Sequence, residues 1–211
     1  MSGVHIAPPE VQPKSFAFTA ENLEKAKAII AKYPAGRQRS ATMPLLDLAQ
    51  RQHGNWLPLA AIRVVGEMLS VPEIRVLEVA SFYTMYNLAP VGKNFVQVCT
   101  TTPCWLRGSD KVVEACEKHL GIHCGETTKD GAFTVIEVEC LGACVNAPMM
   151  QIADDFYEDL DAASTVKILE ALQRGEKPKP GPQNGRQTSA PLGGPTTLNS
   201  FNPPASAGGD D

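Results

Sequence analysis

Phe95-Val-Gln-Val-Cys99-Thr-Thr-Thr-Pro-Cys104 and Phe133-Thr-Val-Ile-Glu-Val-Glu-Cys140-Leu-Gly-Ala-Cys144 decide the fold. Each opens with a short strand-like run, and each run ends at a cysteine that starts a loop closed by a second cysteine. Between them Asp110–Leu120 reads as a helix, with Val112, Val113, Cys116 and Leu120 on one face and Ser109 as its expected cap. If the two strands are neighbours, both cysteine loops leave the sheet at one edge.

Downstream, Met149–Ile152 and Phe156–Tyr157 flank Asp154-Asp155 and read as a hairpin. Asp161 then precedes a last helix carrying Val166, Leu169 and Leu172. The order β-α-β-β-β-α predicts a small open α/β sheet over residues 91–174. It is too short for a doubly wound nucleotide domain.

Upstream, residues 16–90 read as helical, after an N-terminal extension over 1–15. Thr19 is the expected N-cap of Glu21–Lys32, where Leu23, Ala26 and Ile30 recur at helical spacing. A second helix is expected from Pro44 to Gly54 and a third after Pro58, with Ile62, Val65 and Leu69 inward. Ser70-Val-Pro-Glu73 matches a capping box for a fourth helix carrying Ile74, Leu77 and Val79. The aromatic segment Phe82-Tyr-Thr-Met-Tyr86 is expected to pack in the core, with a partner contact as the lesser reading. From Gly175 to Asp211 there are seven Pro and seven Gly in 37 residues and no apolar periodicity. This stretch cannot build a core of its own.

The 211 residues are 43% hydrophobic and 20% charged, an ordinary globular composition. Nineteen basic against 23 acidic residues give a net charge of −4, which disfavours nucleic acid or an anionic membrane face as partner. The two longest apolar-leaning stretches without a charge, Val79–Gly92 and Cys140–Ala153, are 14 residues each and are broken by proline. Neither can span a bilayer, so no direct membrane insertion is expected. The first 30 residues show neither a signal-peptide core nor a transit pattern, which predicts a soluble intracellular chain.

All six cysteines lie between Cys99 and Cys144, a clustering that points to metal or redox chemistry. Cys99 with Cys104 and Cys140 with Cys144 form two pairs at predicted strand ends. Structural zinc accepts four cysteines with roughly two to four residues inside a pair, and both pairs fit. Two disulfides are disfavoured by the expected compartment. A [2Fe–2S] cluster also takes four cysteines, and C-x4-C is among its ligand spacings.

The loops tilt the balance toward iron–sulfur. Gly142 and Ala143 are small enough for backbone N–H groups to approach sulfur. A helix starting at Ser109 would direct its positive end toward an anionic group at Cys104, with Arg107 nearby. Cys116, on the apolar face of its helix, reads as packing rather than as part of a second site with His119, His123 and Cys124. No Ser/His/Asp or Cys/His nucleophile set can be assembled. No two glycines are separated by a single residue, so the dinucleotide fingerprint is missing, and Gly92-Lys93-Asn94 is not a phosphate loop. A redox centre with no hydride-carrier site must receive its electrons from a partner.

Together, Cys99-Thr-Thr-Thr-Pro-Cys104, Glu139-Cys-Leu-Gly-Ala-Cys-Val-Asn-Ala-Pro148, Asp47-Leu-Ala-Gln-Arg-Gln-His-Gly54 and Ser81-Phe-Tyr-Thr-Met-Tyr86 resemble the 24 kDa [2Fe–2S] subunit family of respiratory complex I, the proton-pumping NADH:quinone oxidoreductase. The resemblance runs from about Phe16 to Leu198. It implies an N-terminal helical domain followed by a thioredoxin-like [2Fe–2S] ferredoxin domain. One [2Fe–2S] cluster would be held by Cys99, Cys104, Cys140 and Cys144, with Cys116 and Cys124 outside the set. FMN and NADH would sit on a partner flavoprotein subunit with which the cluster exchanges electrons, and the large iron–sulfur subunit would be a further partner. The chain would be part of an enzyme without a substrate site of its own.

The resemblance also implies a place in the peripheral arm, on the cytoplasmic side of a bacterial inner membrane or the matrix side of a mitochondrial one. The start at Met1 is expected of a bacterial chain. A cis-proline is expected at Ala147-Pro148, just before the third strand, as is common in thioredoxin-like folds. The stretch 175–211 is expected to pack on the flavoprotein, with Arg186, Leu192 and Leu198 in contact. Related diaphorase subunits of NAD-linked hydrogenases and formate dehydrogenases share these features, and a zinc-stabilised scaffold is the alternative of another class.

Overall fold

A computed structural model describes residues 5–194 and Thr197. The chain forms two compact units, one up to Lys93 and one from Asn94 onward.

The first unit holds four helices: α1 (Ala20–Ile30), α2 (Thr42–Gln52), α3 (Leu59–Leu69) and α4 (Glu73–Phe82). Thr19 caps α1, its hydroxyl accepting from the Asn22 N–H at 3.2 Å. The inward stripe of α1 runs through Ala26, Ile29 and Ile30. Leu23, expected on it, lies at its edge, 36% exposed. A 3-10 turn at Gln38–Ala41 starts α2 two residues before Pro44. Pro44 is still in the first turn, where a helix has no partner for its N–H groups anyway. Leu45, Leu46 and Ala49 from α2 meet Ala61, Ile62, Val65 and Leu69 from α3 in one core. Gly66 lets α4 close on α3, since a Cβ there would meet the Val71 carbonyl oxygen at 2.8 Å.

Three expectations fail in this unit. Ser70 does not cap α4: it adopts a left-handed conformation (φ 53°) that ends α3, and Pro72 holds the N-cap place with no side-chain hydrogen bond. Terminating one helix and capping the next make incompatible demands on one backbone, and termination prevails. The buried line of α4 runs through Val76 and Ala80, so Ile74 faces outward. The aromatic segment beyond it is also mostly outside the core. Phe82 is 76% exposed, and Tyr83 and Met85 are exposed too. Only Tyr86 turns inward, donating to the Met43 carbonyl at 2.8 Å.

The second unit is a five-stranded sheet in the order β2-β1-β3-β4-β5, with β1 Asn94–Cys99, β2 Phe133–Val138, β3 Met150–Ile152, β4 Asp155–Glu158 and β5 Gly181–Pro182. Strands β1 and β2 are parallel, joined through α5 (Thr102–Leu106) and α6 (Ser109–Leu120). β3 runs antiparallel to β1, β4 antiparallel to β3, and β5 parallel to β4. Val96 and Val98 of β1, Phe133 and Val135 of β2, and Met150 and Ile152 of β3 share one core. Val112 and Cys116 of α6 and Ile168 and Leu169 of α7 (Ala162–Gln173) close it. Cys116 is fully buried there, as expected of a packing cysteine, and burial pushes its thiol up to about 12.

Asp161 caps α7 with a full capping box, its carboxylate accepting from the Ser164 N–H while the Ser164 hydroxyl accepts from the Asp161 N–H. The Ala147–Pro148 bond is cis, as expected. The outer edge of β2 is covered by the returning chain at Gly125–Thr128, through Gly125 N–H to Val135 O at 2.7 Å and a bridge between Thr127 and Thr134.

Three features were not anticipated. The short helix α5 intervenes before α6, with Cys104 inside it. Gly108, in a left-handed conformation (φ 92°), takes the N-cap place of α6, so Ser109 is its first residue. The Ser109 side chain turns inward, 1% exposed, with no hydrogen-bond partner for its hydroxyl. In the stretch after Gly175, Gly181–Pro182 joins the sheet as β5. Two residues at a sheet edge need no core of their own, and a proline is tolerated there.

Candidate metal centre

Parallel pairing sets Phe95 opposite Thr134 and Val98 opposite Glu137, so the loops after β1 and β2 emerge at the same edge. Ligand sites in open α/β sheets commonly lie at such carboxyl ends. Cys99 is the last residue of β1, and its N–H donates to Met149 O at 3.2 Å. Cys104 follows in α5. Both are buried, at 2% and 1% exposure, in a small cluster with Ala147 and Met149. Cys140 and Cys144 lie on the other loop and are exposed. All four expected site cysteines therefore come to one edge, two inside the fold and two at its surface.

The sulfurs form pairs. Cys140 Sγ and Cys144 Sγ are 3.4 Å apart. Cys99 and Cys104 influence each other directly, Cys104 favouring charge on Cys99 and Cys99 opposing the ionisation of Cys104. The pairs sense each other electrostatically: charge on Cys99 raises the pKa of Cys144, and charge on Cys144 raises that of Cys104. Among the described residues no three His, Cys, Asp or Glu side chains converge as a single ion would need. The grouping is two by two.

Backbone donors address the sulfurs. Burial alone would raise the Cys99 pKa, but the Thr101 hydroxyl at 3.4 Å and N–H donors from Thr101 and Leu141 hold it below the usual thiol range. Burial pushes the Cys104 thiol up to about 12, although the Met149 N–H works against it. The Cys144 thiol is raised, first by its hydrogen bond with Cys140. The Gly142 N–H lies 3.4 Å from Cys140 Sγ, an approach that uses the left-handed backbone at Gly142 (φ 87°). This is the contact anticipated from its small size. Cys104 and Cys144, whose ionisation neighbouring thiols oppose, need a cationic group beside them to be held as thiolates. The donor set suits a binuclear cluster that takes two thiolates on each iron, with N–H groups already directed at sulfur.

The expectation that α6 lends its N-terminus to Cys104 fails, because α5 lies between and Cys104 is in its first turn. Arg107 is exposed at the end of α5. Exposed Trp105 (63%), Leu106 (70%) and Val145 (64%) add apolar surface on the two cysteine loops. Sequence reading missed the Leu141 and Met149 N–H donors, whose direction depends on the folded loops. It also misjudged Arg186. Instead of being free to reach a partner, its guanidinium is 13% exposed and pairs with the buried Asp159 of its own chain. Leu192 is exposed, and Leu198 lies outside the described residues.

The chain belongs to the thioredoxin-like [2Fe–2S] ferredoxin family, whose model matches residues 26–173. Within that class it is similar to two complex I subunits. It is 55% identical over 183 residues to NADH dehydrogenase [ubiquinone] flavoprotein 2, mitochondrial, of Dictyostelium discoideum, covering 87% of this chain and 74% of that one. It is 60% identical over 156 residues to an NADH-quinone oxidoreductase subunit of Rickettsia typhi, covering 74% and 92%. Among solved structures, an NAD+-reducing [NiFe]-hydrogenase in the air-oxidized state shares the fold with a TM-score of 0.54 at 22% identity. The match covers 62% of this chain and 23% of the hydrogenase chain.

Proposed function

We propose that this chain is the one-electron carrier subunit of an NADH–quinone oxidoreductase, with a [2Fe–2S] cluster on Cys99, Cys104, Cys140 and Cys144. The observation that carries it is the pair of cysteine loops at the ends of parallel β1 and β2, joined to family membership and to the 55–60% identity with complex I subunits. The cluster, when bound, supplies reversible one-electron chemistry. The residues supply its setting. Cys99 and Cys104 ligate from inside the fold, Cys140 and Cys144 from its surface. N–H groups of Leu141, Gly142 and Met149 stabilise negative charge on sulfur.

The partners in this reading are an FMN- and NADH-binding flavoprotein subunit and the large iron–sulfur subunit, in the peripheral arm of the complex on the cytoplasmic or matrix side. Exposed Trp105, Leu106 and Val145 around the thiols supply apolar area suited to a protein contact. Among the described residues no helix is long and apolar enough to cross a membrane.

Anaerobic purification with iron and acid-labile sulfide analysis tests the cluster. Two irons and two sulfides per chain are expected; zinc without sulfide would refute it. Affinity purification from the native cell tests the assembly. Recovery of a flavoprotein with quinone-reducing subunits is expected, whereas recovery with hydrogenase or formate dehydrogenase subunits would assign the chain to a diaphorase instead.

A further inference from the structure

The loop that presents Cys140 and Cys144 packs on the rest of the unit through Leu141 and Ala143, which lie against the cluster around Cys99 and Cys104, while its outer part is open. Both thiols are exposed, Val145 is 64% exposed, and Gly142 carries no side chain. Its fixed end is Asn146, which is 3% exposed. The Asn146 side-chain amide donates to Asp159 Oδ2 at 3.2 Å and to Thr188 O at 2.8 Å. The Asp159 N–H donates back to Asn146 O at 2.7 Å. The Asp159 carboxylate is 4% exposed and receives the Arg186 fork, Nε on Oδ2 at 2.8 Å and Nη2 on Oδ1. The same Nη2 donates to the carbonyl of Val145 at 2.8 Å, one residue past Cys144. Arg186 Nη1 reaches Ala190 O at 3.4 Å.

We infer that Arg186, Asp159 and Asn146 are positioning residues for the surface half of the metal centre, and that residues 181–194 form a built-in clamp on the Cys140–Cys144 loop. The inference rests on the proposed cluster reading and assigns these residues a part in it. A buried, planar, bidentate ion pair has one well-defined geometry. Tying it to the carbonyl beside Cys144 carries that rigidity to the exposed end of the loop, beyond the reach of the Leu141 and Ala143 packing. The pair also keeps charge near the centre balanced. Without Arg186, the buried Asp159 carboxylate would keep the Asn146 amide but lose its counter-charge. Metal-ligand geometry depends on supporting partners of this kind, and their loss typically weakens holding by about 10–100-fold.

The test uses the full chain purified anaerobically as wild type, Arg186→Met, Arg186→Lys and Asp159→Asn. Iron and sulfide content, the rate of iron release to a chelator, the reduced-state EPR spectrum and hydrogen exchange of backbone N–H groups are compared. Arg186→Met should release iron about 10-fold faster or more. Its EPR line shape should change, and exchange at Gly142–Asn146 should rise while β1 and α6 stay protected. Arg186→Lys keeps the charge but not the fork and should show the same changes more weakly. If Arg186→Met does not fold, Arg186→Lys and Asp159→Asn carry the comparison. Wild-type release, EPR and loop exchange in all folded variants would overturn the clamp while leaving the cluster reading intact. Wild-type protein without iron or sulfide would instead overturn the cluster reading, and loop exchange in the chain as purified would still decide whether the clamp exists.

Discussion

Cys99 stands in parallel register with Val138, two residues before Cys140, so the first thiol of each loop leaves the sheet from neighbouring strands at almost the same height. Everything expected of the site descends from that pairing. It turns 41 residues of sequence separation into a shared edge.

Single alanine substitutions at Cys99, Cys104, Cys140 or Cys144 should abolish or strongly reduce cluster content, read as loss of the reduced-state EPR signal. Cys116→Ala and Cys124→Ala should retain it. Cys116 is enclosed among Val112, Val135 and Ile168 in the second core, so its loss should lower stability on the order of 1 kcal/mol without touching the centre. An EPR signal lost in a folded Cys116→Ala chain would break the four-cysteine assignment.

Gly142→Ala isolates the backbone requirement of the exposed loop. No atom lies within 4 Å of the added Cβ, so crowding contributes nothing. The positive φ alone should disfavour the native loop by about 1–2 kcal/mol, read as faster iron release to a chelator.

Asp161 should make stability depend on acid pH. Hydrogen bonds from the Ser164 N–H and hydroxyl hold its carboxyl below the ordinary value of 3.8. A depressed folded pKa means the contribution is complete above 3.8 and disappears as pH falls through the lower folded value. Asp161→Ala should therefore cost about 1 kcal/mol at pH 7, and the gap from wild type should narrow below pH 3.8. Urea unfolding across this range, with NMR titration of the Asp161 carboxyl, checks both the size and the sign.

Deleting residues 181–211 removes β5 and Arg186 together. The unfolding midpoint should fall, by roughly 2–4 °C for each kcal/mol lost, and iron should be released faster. This reverses the expectation for a coreless tail, which predicts unchanged unfolding. Equal midpoints in a calorimetric comparison would restore the tail reading.

The parts legible in the sequence were those governed by neighbours along the chain. Phe95–Val98 and Phe133–Val138 alternate, Thr19 and Asp161 precede helices, and Pro148 lies where the thioredoxin-like pattern expects a cis bond. Both cysteine pairs announced themselves by spacing. Ser70 misled because one residue satisfied two local rules and the structure obeys the other. The segment Phe82–Met85 misled because aromatic content signals burial only when a facing surface exists. Arg186 was invisible as a clamp because its partner lies 27 residues away and nothing local marks Asp159. Ser109 shows the same limit on a smaller scale: Gly108 beside it decided which residue would cap the helix.

The covered margins of the sheet have a consequence for how the protein meets others. β4 is occupied by Gly181–Pro182, and the outer side of β2 by the Gly125–Thr128 return. An unpaired strand margin is a template on which further chains can add. Here one side is sealed by a segment containing an imino acid with no hydrogen to offer, and the other by a chain turning back on itself. Growth of the sheet from molecule to molecule is thereby discouraged, and the chain is steered away from sticking to its own copies.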